Sequence, residues 1–366
     1  MLVKTKDLVA GCILSKDING FTSRPIMNRK TILTEELLEI LKAFLINEVS
    51  VENTLVDGQK FTPREIITEE GEEANEYSRF IANYLKVVQT YKHQFQNWQA
   101  GSDVDVAKIR EIMIPLFERS LKVPLEIFSL HHYSNKEDYL YHHMVSIGLL
   151  SGYLAKKMDY NKADVYQITL AGSLADCGMA KISPTILDKG TSLTALEYEE
   201  IRRHPIYSLR MLQRSTILKE SVKYAILQHH ERLDGSGYPR GKGEQKPHAF
   251  AKIVAVADVY HAMTSERTYR KKQSPFKVME MIMQDDFGKF DITVINKLLS
   301  CIMNYSMGSR VRLSNGYIAE IIFIDKQSPT RPLIKVIDTS ELIHLNNNRD
   351  LFIEEVLQNG SNHSLV

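Results

Sequence analysis

Histidines and aspartates, the side chains that bind metal ions and transfer protons, lie on several separate apolar segments of this chain. They are His142, His143, Asp176, His204, His229, His230 and Asp258. Asp176 is the most informative, because in "SLADCGMAKISP" its neighbours include Leu174, Cys177 and Met179. A carboxylate among such neighbours costs several kcal/mol unless another group pairs with it. The sequence around Asp176 therefore predicts a partner from elsewhere in the fold.

Each of these residues also has an ordinary structural explanation. A single histidine on an amphipathic helix is more often a core residue than a metal ligand, and Asp258 alone could cap a neighbouring helix. Adjacent histidines point about 100° apart on a helix, so they share a ligand only at a helix end. His229 and His230 precede the glycine-rich "ERLDGSGYPRGKGE", where a helix should end. Together, buried acids and histidines on separate helices indicate a metal centre, since imidazole and carboxylate suit Mn, Fe, Zn or Ni.

Two stretches of the sequence resemble the motifs of a known protein family. "HHERLDGSGYP" at 229–239, followed by "AKIVAVADVYHAMTSERTYR" at 251–270, resembles the HD-GYP family. Members of that family are bacterial phosphodiesterases of the HD superfamily, which hydrolyse cyclic di-GMP in an all-helical domain. The resemblance covers residues 131–302 and implies the same helical fold and the same metal-assisted hydrolysis for this chain.

Position by position, the resemblance assigns ligands of a divalent metal such as Mn or Fe. These are His143, Asp176, His204, His229, His230 and Asp258. Asp176 is also the implied catalytic residue, because it would bridge two ions, about 3.5–4 Å apart, that hold the attacking hydroxide. The implied substrate-binding residues are Gly237, Tyr238 and Pro239 of the GYP signature, and the basic residues Arg267 and Arg270.

The chain departs from the family at the centre of the site. Ala175 stands where the family has the histidine of its His-Asp doublet, and Met179 replaces a lysine that contacts phosphate. Lys181 follows two residues later and would lie on a different face of a continuing helix. One metal position keeps a complete set, Asp176, His204, His229 and His230. The other keeps only His143, Asp176 and Asp258, which predicts one well-formed and one weakened position.

Three functions are open at this stage. The first is a cyclic di-GMP phosphodiesterase whose hydrolysis is weakened by Ala175 and Met179. The second is a catalytically inactive receptor for cyclic di-GMP or a related dinucleotide, and the third is a signalling scaffold that binds no nucleotide. Retention of Arg267, Arg270 and the glycine-rich loop favours the first two over the third.

The elements that must position these residues form a mainly α chain. Residues 1–60 predict a small α/β module in which Thr34 caps a helix, and residues 61–120 predict a helical connector. Residues 121–302 read as successive helices of the HD-type domain, including a capping box at Thr194 and Glu197. Residues 307–357 predict a small β domain with a turn at Asn315–Gly316, and residues 358–366 form a tail.

Composition excludes some functions and leaves others open. The 46 Lys and Arg residues nearly balance the 45 Asp and Glu residues, which argues against polymeric nucleic acid or a membrane surface as the partner. Cys12, Cys177 and Cys301 are scattered, as expected for reduced thiols in a cytoplasmic protein. No apolar run reaches the roughly 18 residues of a membrane helix. The amphipathic connector is compatible with a homodimer.

Overall fold

The computed structural model describes most of the chain. The described residues are 2–16, 18–19, 25–27, 30–44, 46, 48–52, 54–62, 72–134, 137–241, 246–265, 273–284, 288–325 and 328–357. Residues 1–75 and 76–366 form two compact units. Among the described residues, no helix combines the length and the apolar character that crossing a membrane requires.

The N-terminal unit combines short strands with one helix. Its strands are β1 (Leu2–Lys4), β2 (Ile18–Asn19), β3 (Pro25–Met27) and β4 (Glu48–Ser50), and its helix is α1 (Glu35–Ala43). Strand β1 pairs antiparallel with β4, with Val3 opposite Val49, and β2 pairs antiparallel with β3. The Thr34 side chain accepts a hydrogen bond from the Leu37 amide and caps α1, as the sequence predicts. A small core that includes Val3, Leu41 and Val49 holds the unit together.

Helices dominate the larger unit. They are α2 (Glu72–Gln99), which belongs to this unit from Glu76 onward, α3 (Val106–Ser120), α4 (Tyr139–Lys157), α5 (Lys162–Leu174), α6 (Pro184–Leu187), α7 (Ala195–Ile201), α8 (His204–Leu212), α9 (Glu220–Gln228), α10 (Ala249–Thr264), α11 (Pro275–Gln284) and α12 (Ile292–Ser306). Helix α4 is buried on nearly every side and packs against α3, α5, α10 and α12. The predicted capping box at the start of α7 is present, since Thr194 and Glu197 bond reciprocally.

Helix α2 presents an aromatic stripe to the core of the larger unit. Phe80, Tyr84, Tyr91, Phe95 and Trp98 recur at helical spacing, and all are buried. The Tyr91 hydroxyl donates to the carbonyl oxygen of Ser173, close to the end of α5. The predicted connector segment therefore contributes its apolar face to the same core as α4 and α5.

A five-stranded antiparallel sheet completes the larger unit. Its strands are β5 (Arg310–Leu313), β6 (Ile318–Phe323), β7 (Leu333–Val336), β8 (Leu342–His344) and β9 (Ile353–Val356), in the order β8-β7-β6-β5-β9. The β5–β6 turn contains Gly316 at φ +88°, a backbone conformation that favours glycine. Arg331 fastens the sheet to α11, because its Nε lies 2.5 Å from a carboxylate oxygen of Glu280. The predicted mainly α fold with two small flanking modules is confirmed, and the predicted domain bounds stay predictions.

Candidate metal centre

Asp176 lies at the centre of a cluster of imidazoles. Its Oδ1 is 3.1 Å from Nε2 of His204 and 3.4 Å from Nε2 of His229. Its Oδ2 is 3.5 Å from Nε2 of His143. The two oxygens of one carboxylate thus face histidines from three separate elements, which is the partner that the apolar sequence around Asp176 requires.

A second carboxylate extends the cluster. Asp258 Oδ1 lies 3.0 Å from His143 Nε2, and Asp258 Oδ2 lies 3.5 Å from His230 Nδ1. The structure therefore brings together all six residues that the sequence proposes as ligands. Four of them each offer a ligand atom within 4.8 Å of the others: Asp176, His204, His229 and His230. These are the four that the sequence assigns to the complete metal position.

Hydrogen bonds orient two of the rings toward a common point. His204 Nδ1 lies 2.7 Å from the carbonyl oxygen of Ile201, and His229 Nδ1 lies 2.7 Å from that of Ile226. Each Nδ1 must donate, so in the neutral rings each Nε2 carries a lone pair. The two Nε2 atoms are 3.2 Å apart and both face Asp176 Oδ1. Three electron-pair donors that converge on one point are satisfied either by a proton on one of the rings or by a bound cation, and this donor set fits a divalent metal.

The electrostatics follow from the same geometry. Burial opposes ionisation of Asp176, but hydrogen bonds and charge from His204 and His229 outweigh it and hold the Asp176 pKa well below its usual range. Burial lowers the pKa of His229, yet the hydrogen bond and charge of Asp176 raise it overall above its ordinary value. Burial and the charge of His229 lower the pKa of His230 well below its ordinary value. His230 is therefore neutral, the form that binds metal.

A break in the helix places Asp176. The sequence suggests one helical run through "LAGSLADCGMAKI", but α5 ends at Leu174 and a 3₁₀ helix follows at Cys177–Lys181. Ser208 of α8 bridges the break, since its hydroxyl donates to the Ala175 carbonyl at 2.6 Å and accepts from the Gly178 amide at 2.8 Å. This contact turns Asp176 out of the helix and toward His204.

The glycine-rich loop closes over His230. Both carboxylate oxygens of Glu231 accept backbone amides, from Arg240 at 2.6 Å and Gly241 at 3.1 Å. The Tyr238 ring stacks on the His230 ring with centroids 4.6 Å apart, and the Arg202 guanidinium lies 4.8 Å from the Tyr238 centroid. Gly237 packs against the backbone that follows His230, because a Cβ atom on Gly237 would lie 2.6 Å from the Glu231 Cα. The GYP signature therefore holds an aromatic ring against a proposed ligand.

The departures from the family lie inside this cluster. Ala175 is fully buried beside Asp176 and offers no ligand atom, while Met179 is half-buried. Lys181 does not take the place of the missing lysine, since its Nζ donates to the Trp98 carbonyl oxygen at 3.0 Å. Arg267 and Arg270, proposed to bind substrate, lie outside the described residues.

Two further side chains touch the cluster: His261, which sequence reasoning missed, and Tyr139, to which it gave no contact with the proposed ligands. His261, buried on α10, approaches His143 with their Nδ1 atoms 2.9 Å apart. Tyr139 stacks on the His143 ring with centroids 5.0 Å apart and planes inclined by 25°. The helical spacing could have identified both, because residues three or four positions apart lie on the same face of a helix. Tyr139 lies four residues before His143, and His261 lies three residues after Asp258.

Comparison with known proteins gives a consistent result. A family model described as an HD domain matches residues 129–294. The cyclic di-GMP phosphodiesterase PA4108 of Pseudomonas aeruginosa is 30% identical over 242 residues, covering 66% of this chain and 58% of that protein. A cyclic di-GMP phosphodiesterase of Thermotoga maritima is 39% identical over 166 residues, 44% of each chain. The 3'3'-cGAMP-specific phosphodiesterase 1 of Vibrio cholerae is 32% identical over 196 residues, 50% of this chain and 44% of that one. The chain thus spans about half the length of these relatives.

Proposed function

This chain belongs to the HD-GYP family of HD domains, and on that premise we propose that it is a metal-dependent phosphodiesterase for cyclic dinucleotides. The observation that carries the proposal is the convergence of Asp176 Oδ1 with the two Nε2 atoms of His204 and His229. Their Nδ1 atoms are already committed to backbone carbonyls, so the site is preorganised to receive a cation rather than to form a neutral network.

The residues of the proposed site have different roles. When bound, a divalent metal would activate water and polarise the phosphate. Asp176 and Asp258 supply the negative charge that retains the cation, and both are ionised because the surrounding histidines lower their pKa values. His230 has the largest exposed fraction of the six ligands, with 17% of its side chain accessible, so substrate would reach the centre beside it and the Tyr238 ring.

The substrate class rests on the relatives and on charge. The relatives described above are named for cyclic di-GMP and 3'3'-cGAMP, which are both cyclic dinucleotides. We propose cyclic di-GMP as the first substrate to test, with Arg267 and Arg270 as its phosphate-binding residues. The free, buried Cys12, Cys177 and Cys301 suit a reducing compartment and support a cytoplasmic location. A homodimer is the oligomer that we would look for first, on the basis of the amphipathic α2 and α3.

An inactive receptor is the second candidate, and Ala175 favours it. The position formed by His143, Asp176 and Asp258 lacks a fourth protein ligand, so its ion would be weakly held. Met179 removes a cationic contact to phosphate as well. Such a chain would bind the dinucleotide through the intact metal position and the loop, and turn it over slowly or not at all.

Turnover distinguishes the two functions. The purified chain is incubated anaerobically with Mn²⁺ or Fe²⁺ and either cyclic di-GMP or 3'3'-cGAMP, and products are separated by chromatography. Metal-dependent product that disappears in Asp176→Ala supports the phosphodiesterase. Thermal stabilisation by cyclic di-GMP without product supports the receptor, because a ligand at 100 times its Kd adds about 2.7 kcal/mol. If the folded protein gives no product and is not stabilised by cyclic di-GMP, both the phosphodiesterase and the receptor are rejected.

A further inference from the structure

His261 is a buried histidine that the proposed reaction does not yet use. It lies on α10 one turn after Asp258 and is 2% exposed. Its ring centroid is 5.1 Å from that of His143, and the two Nδ1 atoms are 2.9 Å apart. The Ser265 hydroxyl lies 3.3 Å from His261 Nδ1 and 3.4 Å from its Nε2.

The short Nδ1–Nδ1 distance means that one hydrogen atom lies between the two rings. If His261 donates it, His143 carries its own hydrogen on Nε2 and donates to Asp258 Oδ1, 3.0 Å away. If His143 donates it, His143 Nε2 presents a lone pair toward Asp258 Oδ1 and Asp176 Oδ2. That arrangement repels the two carboxylates unless a cation lies between them.

We propose that His261 is a positioning residue that selects the tautomer of His143. It accepts the Nδ1 hydrogen of His143 when a metal occupies the position beside Asp258, and it donates when that position holds no metal. An imidazole can do both, whereas a carboxylate in the same place could only accept. The inference rests on the proposed function and deepens it, because it gives the weakened metal position a supporting partner.

Packing restricts His143 so that this hydrogen bond controls its orientation. Tyr139 covers one face of the His143 ring, and the ring is almost completely buried between α4 and α10. With one face covered by Tyr139, the Nδ1 contact to His261 opposes rotation of the His143 ring away from the two carboxylates. Loss of an outer hydrogen-bond partner of a histidine ligand typically weakens metal binding about 10–100-fold.

The test compares Mn²⁺ binding to the full chain and two variants by isothermal titration. His261→Asn places an amide oxygen near the position of Nδ1 and keeps an acceptor, whereas His261→Leu fills the volume without one. We expect two binding events in the wild type, with the weaker event reduced about 10–100-fold in His261→Leu and nearly unchanged in His261→Asn. The stronger event, at His204 and His229, serves as an internal control and stays unchanged in both.

Histidine nitrogen chemical shifts supply a readout that a purely structural role would not change. In metal-free wild type we expect His143 to carry its hydrogen on Nε2, and in Zn²⁺-loaded protein on Nδ1. His261→Leu should abolish the downfield shift of the Nδ1 hydrogen in the loaded form. Tyr84→Phe is the matched control, because the Tyr84 hydroxyl bonds Nδ1 of the adjacent His142 at 2.9 Å and leaves His143 untouched.

The outcomes separate this inference from the proposed function. The proposed role of His261 is overturned if the wild type binds only one equivalent of Mn²⁺. It is also overturned if His261→Leu binds both equivalents with unchanged affinity. Either result leaves the proposed metal centre at His204 and His229 in place. A wild type that binds no metal at all overturns the proposed function and the inference together. If His261→Leu does not fold, His261→Gln replaces it, since its amide reaches the place of Nε2 beside Ser265 instead of His143.

Discussion

Gly178 packs directly against Ser208, whose hydroxyl accepts the Gly178 amide at 2.8 Å. A Cβ atom on Gly178 would lie 2.7 Å from that hydroxyl oxygen and would also overlap the backbone of His204. The glycine therefore lets the 3₁₀ helix after Asp176 lie against the first turn of α8, so that Asp176 meets His204. A residue with no side chain sets the geometry of the proposed metal centre.

Gly178→Ala should damage both stability and metal binding. The added methyl group forces α8 away from the 3₁₀ helix, and overpacking of this kind typically costs about 1–3 kcal/mol. We expect a lower unfolding temperature of the larger unit by calorimetry, together with weaker Mn²⁺ binding by titration. Gly190→Ala is the control, because a Cβ atom there meets nothing within 4 Å. Equal effects of the two substitutions would disprove this account of the site.

Asp176→Asn should remove metal binding while keeping the shape of the side chain. The substitution takes away the charge that His204 and His229 face, and an amide is a poor ligand for the metals that suit this site. We expect the affinity for Mn²⁺ to fall more than about 100-fold, measured by equilibrium dialysis.

The control for this substitution is Asp234→Asn in the neighbouring glycine-rich loop. Asp234 caps a local turn, since its Oδ1 accepts the Ser236 amide at 2.9 Å, and it is not one of the proposed ligands. Its substitution should leave Mn²⁺ affinity within about twofold. Retention of metal by Asp176→Asn would mean that the cation binds elsewhere in the chain.

Local sequence signals predicted the parts of the fold that depend on neighbours in the chain. Thr194 and Glu197 form their capping box through atoms three residues apart, and the Asn315–Gly316 turn needs only its own two residues. The end of α9 before His229 follows in the same way from the glycines downstream. These features required no knowledge of the tertiary structure.

Features of the site that depend on tertiary contacts could not be predicted in this way. The helix break before Asp176 is held by Ser208, which lies 30 residues beyond Gly178 in the sequence. The contact between His143 and His261 joins residues separated by 118 positions. Periodicity places each residue on a face of its own helix, but it does not say which faces meet.

His142 should make the chain less stable in mild acid. Burial lowers the pKa of His142 to about 4, and the charge of Asp138 offsets this only partly. The unfolded chain binds the proton below its ordinary pKa of about 6.5, so stability is lost as the pH falls from about 6.5 to about 4. Within that window the loss approaches 1.36 kcal/mol per pH unit from this residue alone.

His142→Asn isolates this contribution. The amide keeps an acceptor for the Tyr84 hydroxyl but does not titrate, and contributions from other groups cancel in the comparison. Urea unfolding at several pH values should give a smaller pH slope for the variant between about pH 4 and 6.5, and parallel curves outside it. Parallel curves throughout would mean that His142 has the same pKa in the folded and the unfolded chain.

Ala175→His combined with Met179→Lys should raise turnover of cyclic di-GMP if the proposed function is correct. The imidazole adds a ligand next to Asp176 at the position that also uses His143 and Asp258, and the lysine restores a cation for phosphate. We expect a second tightly bound Mn²⁺ equivalent and at least about a tenfold increase in kcat, which corresponds to about 1.4 kcal/mol. Ala175→Leu with Met179→Lys is the control, because leucine fills a similar volume without a ligand atom. If the histidine variant is folded and binds the second ion but turns over no faster, the missing imidazole does not limit the reaction.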